Sequence, residues 1–277
     1  MEIESRLATA EDLPEIRHLL RHSRRSYASF GGEDLTLVVE ENPFVVAVTG
    51  PLVWGMIGCV GRGGGWADVR AAALLDGWRY ENAAQTMMPV VRKLLRERGL
   101  DRILGIAQED WLNSFFQAFG FEKADEIIVY ARPVSVVGRR ISGVEVRRTD
   151  DPKLLAALDG ECFEPMWGMT EREFIHIVLL GGAVPLVAYV DGIAAGYVVV
   201  SPHRDVCEVV RLGVVEAHRH RGIGRALLQE AMEVCASSGT LSVLLNTQKS
   251  NEPARRLYES FGFRSYGRPV PVWVMKL

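Results

Sequence analysis

Apolar residues recur along this chain in two rhythms, and the rhythms follow one order that runs twice. Short apolar runs of strand length mark 44–48, 53–60, 186–190 and 195–200, and 206–215 is β-branched and apolar at alternate positions. A helical rhythm marks 82–98, closed by Gly99, and 225–237, where Leu228, Ala231, Met232 and Cys235 share one face. In the first copy a helix starts near Asp12, a candidate cap, has Pro14 in its first turn and runs to about Arg25. Strand 103–107, helix 112–119 and strand 126–131 end that copy. The second copy opens with strand 144–147 and helices 153–161 and 171–180. Its hairpin turns on Asp191-Gly192, a favoured two-residue connection. Strand 241–246, the Pro253-led helix 253–261 and strand 273–276 close it.

Direct comparison supports the duplication. Pro43-Phe-Val-Val-Ala-Val-Thr-Gly50 lines up with Pro185-Leu-Val-Ala-Tyr-Val-Asp-Gly192, and Ser114-Phe-Phe-Gln-Ala-Phe-Gly-Phe121 with Arg256-Leu-Tyr-Glu-Ser-Phe-Gly-Phe263, both at an offset of 142 (185 − 43 and 256 − 114). The openings, Ile3 to Arg6 and Val144 to Arg147, agree at 141 (144 − 3). A near-constant offset over separated blocks marks one domain written twice. The expected division is 1–133, a linker over 134–143 where helix and strand signals fade, and 144–277.

The chemistry concentrates between strand 206–215 and the helix after it. Arg219-His220-Arg221-Gly222-Ile223-Gly224 is a basic loop opening onto a helix that begins near Arg225. Two glycines let the backbone turn sharply and approach a ligand, and the helix start adds unpaired N–H groups and the positive end of its dipole. That combination suits a phosphate; its bland counterpart is a strand–helix turn with solvated arginines. A Walker loop would end Gly-Lys-Ser/Thr, whereas this one ends Gly-Arg-Ala, and a Rossmann fingerprint would need a third glycine.

Leu212-x-Val214 followed by Arg219-x-x-Gly222-x-Gly224 resembles the acyl-coenzyme A motif of the GCN5-related N-acetyltransferases, the GNAT family. Asn251-Glu-Pro-Ala254-Arg-Arg-Leu257-Tyr258, followed by Gly262-Phe263, is similar to the late motif of that family; Glu216 stands where many members have proline. The likeness covers the second copy and, more weakly, the first. The tandem form with a degraded first half resembles the mycothiol synthase branch in architecture alone. Cys162-Phe-Glu-Pro-Met-Trp167 is faintly similar to protein N-terminal acetyltransferases of the ribosomal type.

The resemblance implies an α/β fold (an α+β mixed sheet) of two tandem GNAT-like domains, each a mixed, mostly antiparallel sheet flanked by helices. It implies acetyl-CoA as cofactor and direct attack of an amine on the thioester. Leu212, Gly213 and Val214 would pair with the pantetheine arm, unless they serve only ordinary strand pairing. Arg219, His220, Arg221, Gly222, Ile223, Gly224 and Arg225 would hold the pyrophosphate. Asn251 would cap the last helix, with or without touching coenzyme. Tyr258 would protonate the departing thiolate, or merely lid the core. Glu208 would serve as base, directly or through water, or stand as an exposed edge carboxylate. Phe163 and Trp167 would line the acceptor pocket, or pack between helices.

Aligned through Arg70 and Arg211, at an offset of 141 (211 − 70), the first copy puts Glu81 opposite Gly222 and Ala83 opposite Gly224; at the offset of 142 (258 − 116) it puts Phe116 opposite Tyr258. A carboxylate repels a pyrophosphate, so residues 1–133 are expected to be a degenerate, coenzyme-free domain, with binding of a different ligand as the alternative. Composition adds bounds. Of 277 residues, 48% are hydrophobic and 24% charged, as in an ordinary globular protein, and the net charge of −3 gives no reason to expect nucleic acid as partner. No signal peptide or membrane span is legible, and Cys59, Cys162, Cys207 and Cys235 lack paired spacing. A cytoplasmic chain with buried, reduced thiols, no membrane association and no metal is expected. The expected function is transfer of acetyl to a small-molecule amine or a protein amino terminus, against the alternative of a non-catalytic acyl-CoA sensor or docking protein. The amine, the acyl-chain preference and the oligomeric state stay open.

Overall fold

The computed structural model describes residues 3–30, 35–135 and 143–277. The chain forms two compact units: Met1–Asp125 with Val270–Leu277, and Glu126–Pro269. Both units are mixed sheets with helices on either face, the α/β class expected from the sequence.

In the first unit, strands β1 (Glu4–Leu7), β3 (Phe44–Thr49), β4 (Leu52–Gly61), β5 (Trp66–Leu74) and β6 (Arg102–Ile106) lie in that order. Strand β2 (Arg25–Ala28) pairs with β5 outside this sequence of neighbours. Helices α1 (Leu13–His22) and α2 (Leu35–Glu41) cover one face, burying Ile16, Leu19, Val38 and Val39 against Phe44 and Met56. Helices α3 (Tyr80–Glu97) and α4 (Asp110–Ala118) cover the other, where Met87, Leu95, Phe115 and Phe116 pack on Val45, Ile57 and Leu74. Asp12, expected from sequence to cap α1, does not do so with its own side chain. Thr9 leads a short 3-10 turn, and the Asp12 carboxylate accepts from the Thr9 N–H at 2.8 Å in a capping box.

In the second unit, β7 (Glu122–Pro133) is joined by β8 (Glu145–Arg148), β9 (Val184–Val190), β10 (Ile193–Pro202), β11 (Val206–Val214) and β12 (Ser242–Gln248). Their order is β7-β12-β11-β10-β9-β8. Helices α5 (Pro152–Cys162) and α6 (Glu171–Phe174), the latter continued by a π-helical turn Ile175–Leu180, cover one face. Helices α7 (Ile223–Ser237) and α8 (Glu252–Ser260) cover the other, with Leu228, Ala231, Met232 and Cys235 buried as the period predicts. The hairpin turn has left-handed backbone at both Asp191 (φ 52°) and Gly192 (φ 80°), as a two-residue hairpin connection requires.

The compact units do not follow the expected boundaries at 133 and 144. Strand β7 pairs antiparallel with β12, from Ser242↔Pro133 to Gln248↔Ile127, inside the second unit. The last strand, β13 (Arg264–Lys276), pairs with β6 through Val272↔Ile106 to Lys276↔Arg102 in the first. Two copies of one domain offer equivalent places for a final strand, and local pattern carries no information on which copy fills which place. Of the expected linker, 136–142 lies outside the described residues.

Two further readings are corrected. Strand β5 escaped the sequence pattern because it holds Ala67 and Ala71 to Ala73, a residue type depleted in strands. Cys207 and Cys235, expected as reduced thiols, are paired as a disulfide, with Cα atoms 5.6 Å apart. The packing of α7 across β11 brings together two positions 28 residues apart, which spacing alone does not reveal. Cys59 and Cys162 are free. Among the described residues no helix is long and apolar enough to cross a membrane.

Candidate active site

Strand β11 builds the site by what it leaves unpaired. On one edge it pairs with β10 as far as Gly196↔Val214. On the other it runs parallel to β12 only from Val206↔Ser242 to Val209↔Leu245, after which the two strands diverge. A cleft of about 570 Å³ opens there, lined by β11 from Val209 to Val214, by Asn246 to Gln248 of β12, and by the starts of α7 and α8. That volume suits a small-molecule site. Alternate residues of β11 serve opposite faces: Leu212 and Val214 pack with the α7 core, and Val210 with the α5 core. At Gly213 a Cβ would come within 2.8 Å of Cys162 and 2.9 Å of Phe163, so only glycine lets the end of α5 press this close to the strand.

The loop after β11 turns through two left-handed residues, His220 (φ 63°) and Gly222 (φ 80°), the latter capping α7 with no side chain to satisfy the first N–H groups. Those donors and the helix dipole face the cleft that Gly222, Ile223 and Gly224 line. Arg219 holds the loop by donating to the carbonyls of Val214 and Cys162, both at 3.2 Å. The Arg225 guanidinium lies 5.0 Å over the Phe261 ring. A free helix start, a left-handed glycine and cationic side chains form a cradle whose donors fit a diphosphate.

Tyr258, on α8, closes the opposite wall. It is 5% exposed, packs edge-on against Tyr130 and Phe263, and has its phenol pushed up to about 12 by burial. Asn251 caps α8 by accepting from the Ala254 N–H at 3.3 Å while also lining the cleft.

Most residues singled out from sequence thus meet in one place: Leu212, Gly213, Val214, Arg219, His220, Gly222, Ile223, Gly224, Arg225, Asn251, Tyr258 and Phe163 all line the cleft. Three do not. Arg221 is exposed and is not among the lining residues. Glu208 is exposed and outside the lining, at a point where β11 still pairs with both β10 (Ser201) and β12 (Leu244). Trp167 contributes its backbone carbonyl to Arg211 and stays outside the lining. Sequence reading missed Arg211, whose guanidinium stacks 3.7 Å over Phe163, and its partner Asp159, which is fully buried. A charge inside an apolar strand and a carboxylate inside an apolar helix were the available signals.

The corresponding cleft of the first unit is filled by the chain itself. Strands β5 and β6 also run parallel only briefly, from Trp66↔Arg102 to Asp68↔Leu104. The vacated edge of β5 carries β2, from Arg25↔Leu74 to Ala28↔Ala71, while β4 holds the other edge. Arg25 donates to the carbonyls of Trp78 (2.8 Å) and Leu75, so this loop receives a cation where the other offers donors to an anion. Strand pairing also corrects the internal alignment. Gly55↔Leu74 matches Gly196↔Val214, which puts Ala71, rather than Arg70, in the place of Arg211. The loop 75–79 is three residues shorter than 215–222, so Arg79 takes the place of Gly222 and Glu81 that of Gly224. Phe116 is fully buried in the place of Tyr258.

Residues 154–263 match the model of the acetyltransferase (GNAT) family. The match lies within the second unit, so that unit is a GNAT N-acetyltransferase domain. It is 27% identical over 127 residues to the putative [ribosomal protein bS18]-alanine N-acetyltransferase of Bacillus subtilis (strain 168), covering 46% of this chain and 83% of that protein. It is 32% identical over 96 residues to N-alpha-acetyltransferase 50 of Danio rerio, covering 33% of this chain and 57% of that one. A solved tandem GNAT protein from the clavulanic acid biosynthesis pathway shares the fold over 99% of this chain and 98% of its own, with a TM-score of 0.60 at 15% identity. GNAT proteins generally draw their acyl group from acetyl-CoA.

Proposed function

We propose that the second unit binds acetyl-CoA in the β11–β12 cleft and transfers the acetyl group directly to a primary amine, and that the first unit binds no coenzyme. The observation that carries this reading is the diverging, one-sided edge of β11, ending at the uncapped start of α7 and faced by the Tyr258 phenol. In this reading the N–H groups from Arg219 to Arg225 hold the pyrophosphate, and the free edge at Leu212 to Val214 pairs with the pantetheine arm. A strand N–H there polarises the thioester carbonyl, a kind of donor commonly worth about 3 kcal/mol of barrier. Tyr258 supplies the proton to the leaving thiolate; its raised value keeps it protonated at neutral pH. Glu208, outside the cleft, takes the amine proton only by way of water. Phe163 lines the acceptor side, with Trp167 behind it through its backbone. The acceptor is a small amine or a protein amino terminus, and the names of the two relatives are in keeping with the second.

Titration with acetyl-CoA and measurement of coenzyme release with an amine panel test this together. The panel holds a lysine-free hexapeptide with a free amino terminus and spermidine. One coenzyme per chain with turnover is expected. Two per chain would refute the asymmetry, and tight binding without turnover on any amine would establish the sensor alternative.

A further inference from the structure

We propose that Asp159, Tyr197 and Arg211 are positioning residues that fix the segment 163–169 as the acceptor-side wall of the cleft. The proposal rests on the assignment of the cleft to acetyl transfer. Asp159 Oδ1 accepts from Arg211 Nε at 2.7 Å and from the Tyr197 hydroxyl, and its Oδ2 accepts from the Met169 N–H at 2.7 Å. Arg211 Nη2 donates to the Trp167 carbonyl, and its guanidinium plane lies against Phe163. One buried ion pair therefore grips a single segment at its start, middle and end. The segment holds one 3-10 turn, Pro165–Trp167, with bonds from Phe163 N–H to Asp159 (2.9 Å), Trp167 N–H to Glu164 (2.8 Å) and Gly168 N–H to Pro165 (3.2 Å), and Phe163 and Met169 pack on the core at its two ends.

The fold itself does not require these polar groups. The first unit builds the same strand pair, with a bulge at the same place, using Met56 where the second has Tyr197 and Ala71 where it has Arg211. Buried ion pairs can commonly be replaced by apolar residues at no loss of stability. The first unit has its own buried pair, Arg62–Asp68, but none at the positions equivalent to Tyr197 and Arg211, and that placement beside the open cleft points to the cleft. Arg211 and Phe163 both line it, and Arg211 reaches Asp159 of α5, whereas the pyrophosphate loop starts α7 on the other face of the sheet. The network consequently shapes the side from which an acceptor approaches, away from the coenzyme cradle.

The decisive variant replaces all three at once, Asp159→Leu, Tyr197→Met and Arg211→Ala, so that no charge is left buried alone. Hydrogen exchange across 163–169 is expected to accelerate by about a hundredfold or more. The KM for whichever of the hexapeptide or spermidine the wild type acetylates should rise about tenfold, with the acetyl-CoA Kd within about threefold of wild type. Unchanged exchange and unchanged acceptor KM in a folded variant overturn the proposal, and so does a loss of coenzyme binding as large as the loss of acceptor binding. Should the triple variant not fold, Arg211→Lys keeps the charge but loses the planar fork. It is then expected to loosen 163–169 and raise acceptor KM, and wild-type values for both would overturn the proposal. Failure of the wild type to bind acetyl-CoA would instead refute the functional assignment, with the exchange measurement still standing.

Discussion

Tyr258→Phe removes one oxygen from the centre of the proposed chemistry, and the structure fixes what that should cost. The ring stays as it is, edge-on to Tyr130 at 6.0 Å and Phe263 at 6.2 Å between centroids. Burial alone accounts for the raised phenol, with no hydrogen bond or charge contributing. Deleting the hydroxyl thus breaks no bond that supports the fold, and stability should change by no more than about 0.5 kcal/mol. General acid catalysis is commonly worth about 10²–10⁴-fold, so kcat should fall by at least about a hundredfold, or about 2.7 kcal/mol of barrier. Acetyl-CoA affinity should hold. The assay is coenzyme release under saturating donor and acceptor, with calorimetric titration of acetyl-CoA beside it. A kcat within about threefold of wild type would refute the role of the phenol. The pH dependence gives a second check. With a folded value of about 12 against about 10 for a free phenol, Tyr258 stays protonated through pH 9. The stability it contributes is complete below about pH 10 and is lost as pH rises toward 12, a loss that Tyr258→Phe should abolish.

Gly222→Glu should raise the acetyl-CoA Kd by at least about a hundredfold, because it places a carboxylate against the proposed pyrophosphate and demands left-handed backbone costing about 1–2 kcal/mol; wild-type affinity by calorimetry would remove Gly222 from the cradle. Asp12→Asn should cost about 1 kcal/mol near pH 7 in urea denaturation, since Asp12 takes paired hydrogen bonds from Arg6 at 2.7 and 2.8 Å and completes the capping box with Thr9. Arg6 holds the Asp12 carboxyl below its usual value, so this contribution is present above about pH 3.9 and disappears as pH falls through the lowered one. A difference that persisted unchanged at pH 2 would contradict the ion pair.

Much of the molecule was legible before any coordinates. Periodicity located β3, β4, α3, β9, β10 and α7 because each buries one continuous face, and burial writes its period into the chain. The repeat gave the duplication, and the glycines and arginines of 219–225 marked the loop, since left-handed backbone and uncompensated charge restrict residue type locally. What depended on partners distant in sequence was not legible. The exchange of β7 and β13 is a choice between equivalent edges. The Cys207–Cys235 pair follows from where α7 lands on β11. Glu208 lies outside the cleft because the lining begins only at Val209, where the pairing of β11 with β12 ends. Strand β2 carries only Arg-Ser-Tyr-Ala, too short to announce itself, yet it fills the edge of β5 and separates a closed cleft from an open one. Local chemistry is set by neighbours a few residues away and so survives in sequence; which edge is covered, and by what, is decided only when the whole chain competes for the same surfaces.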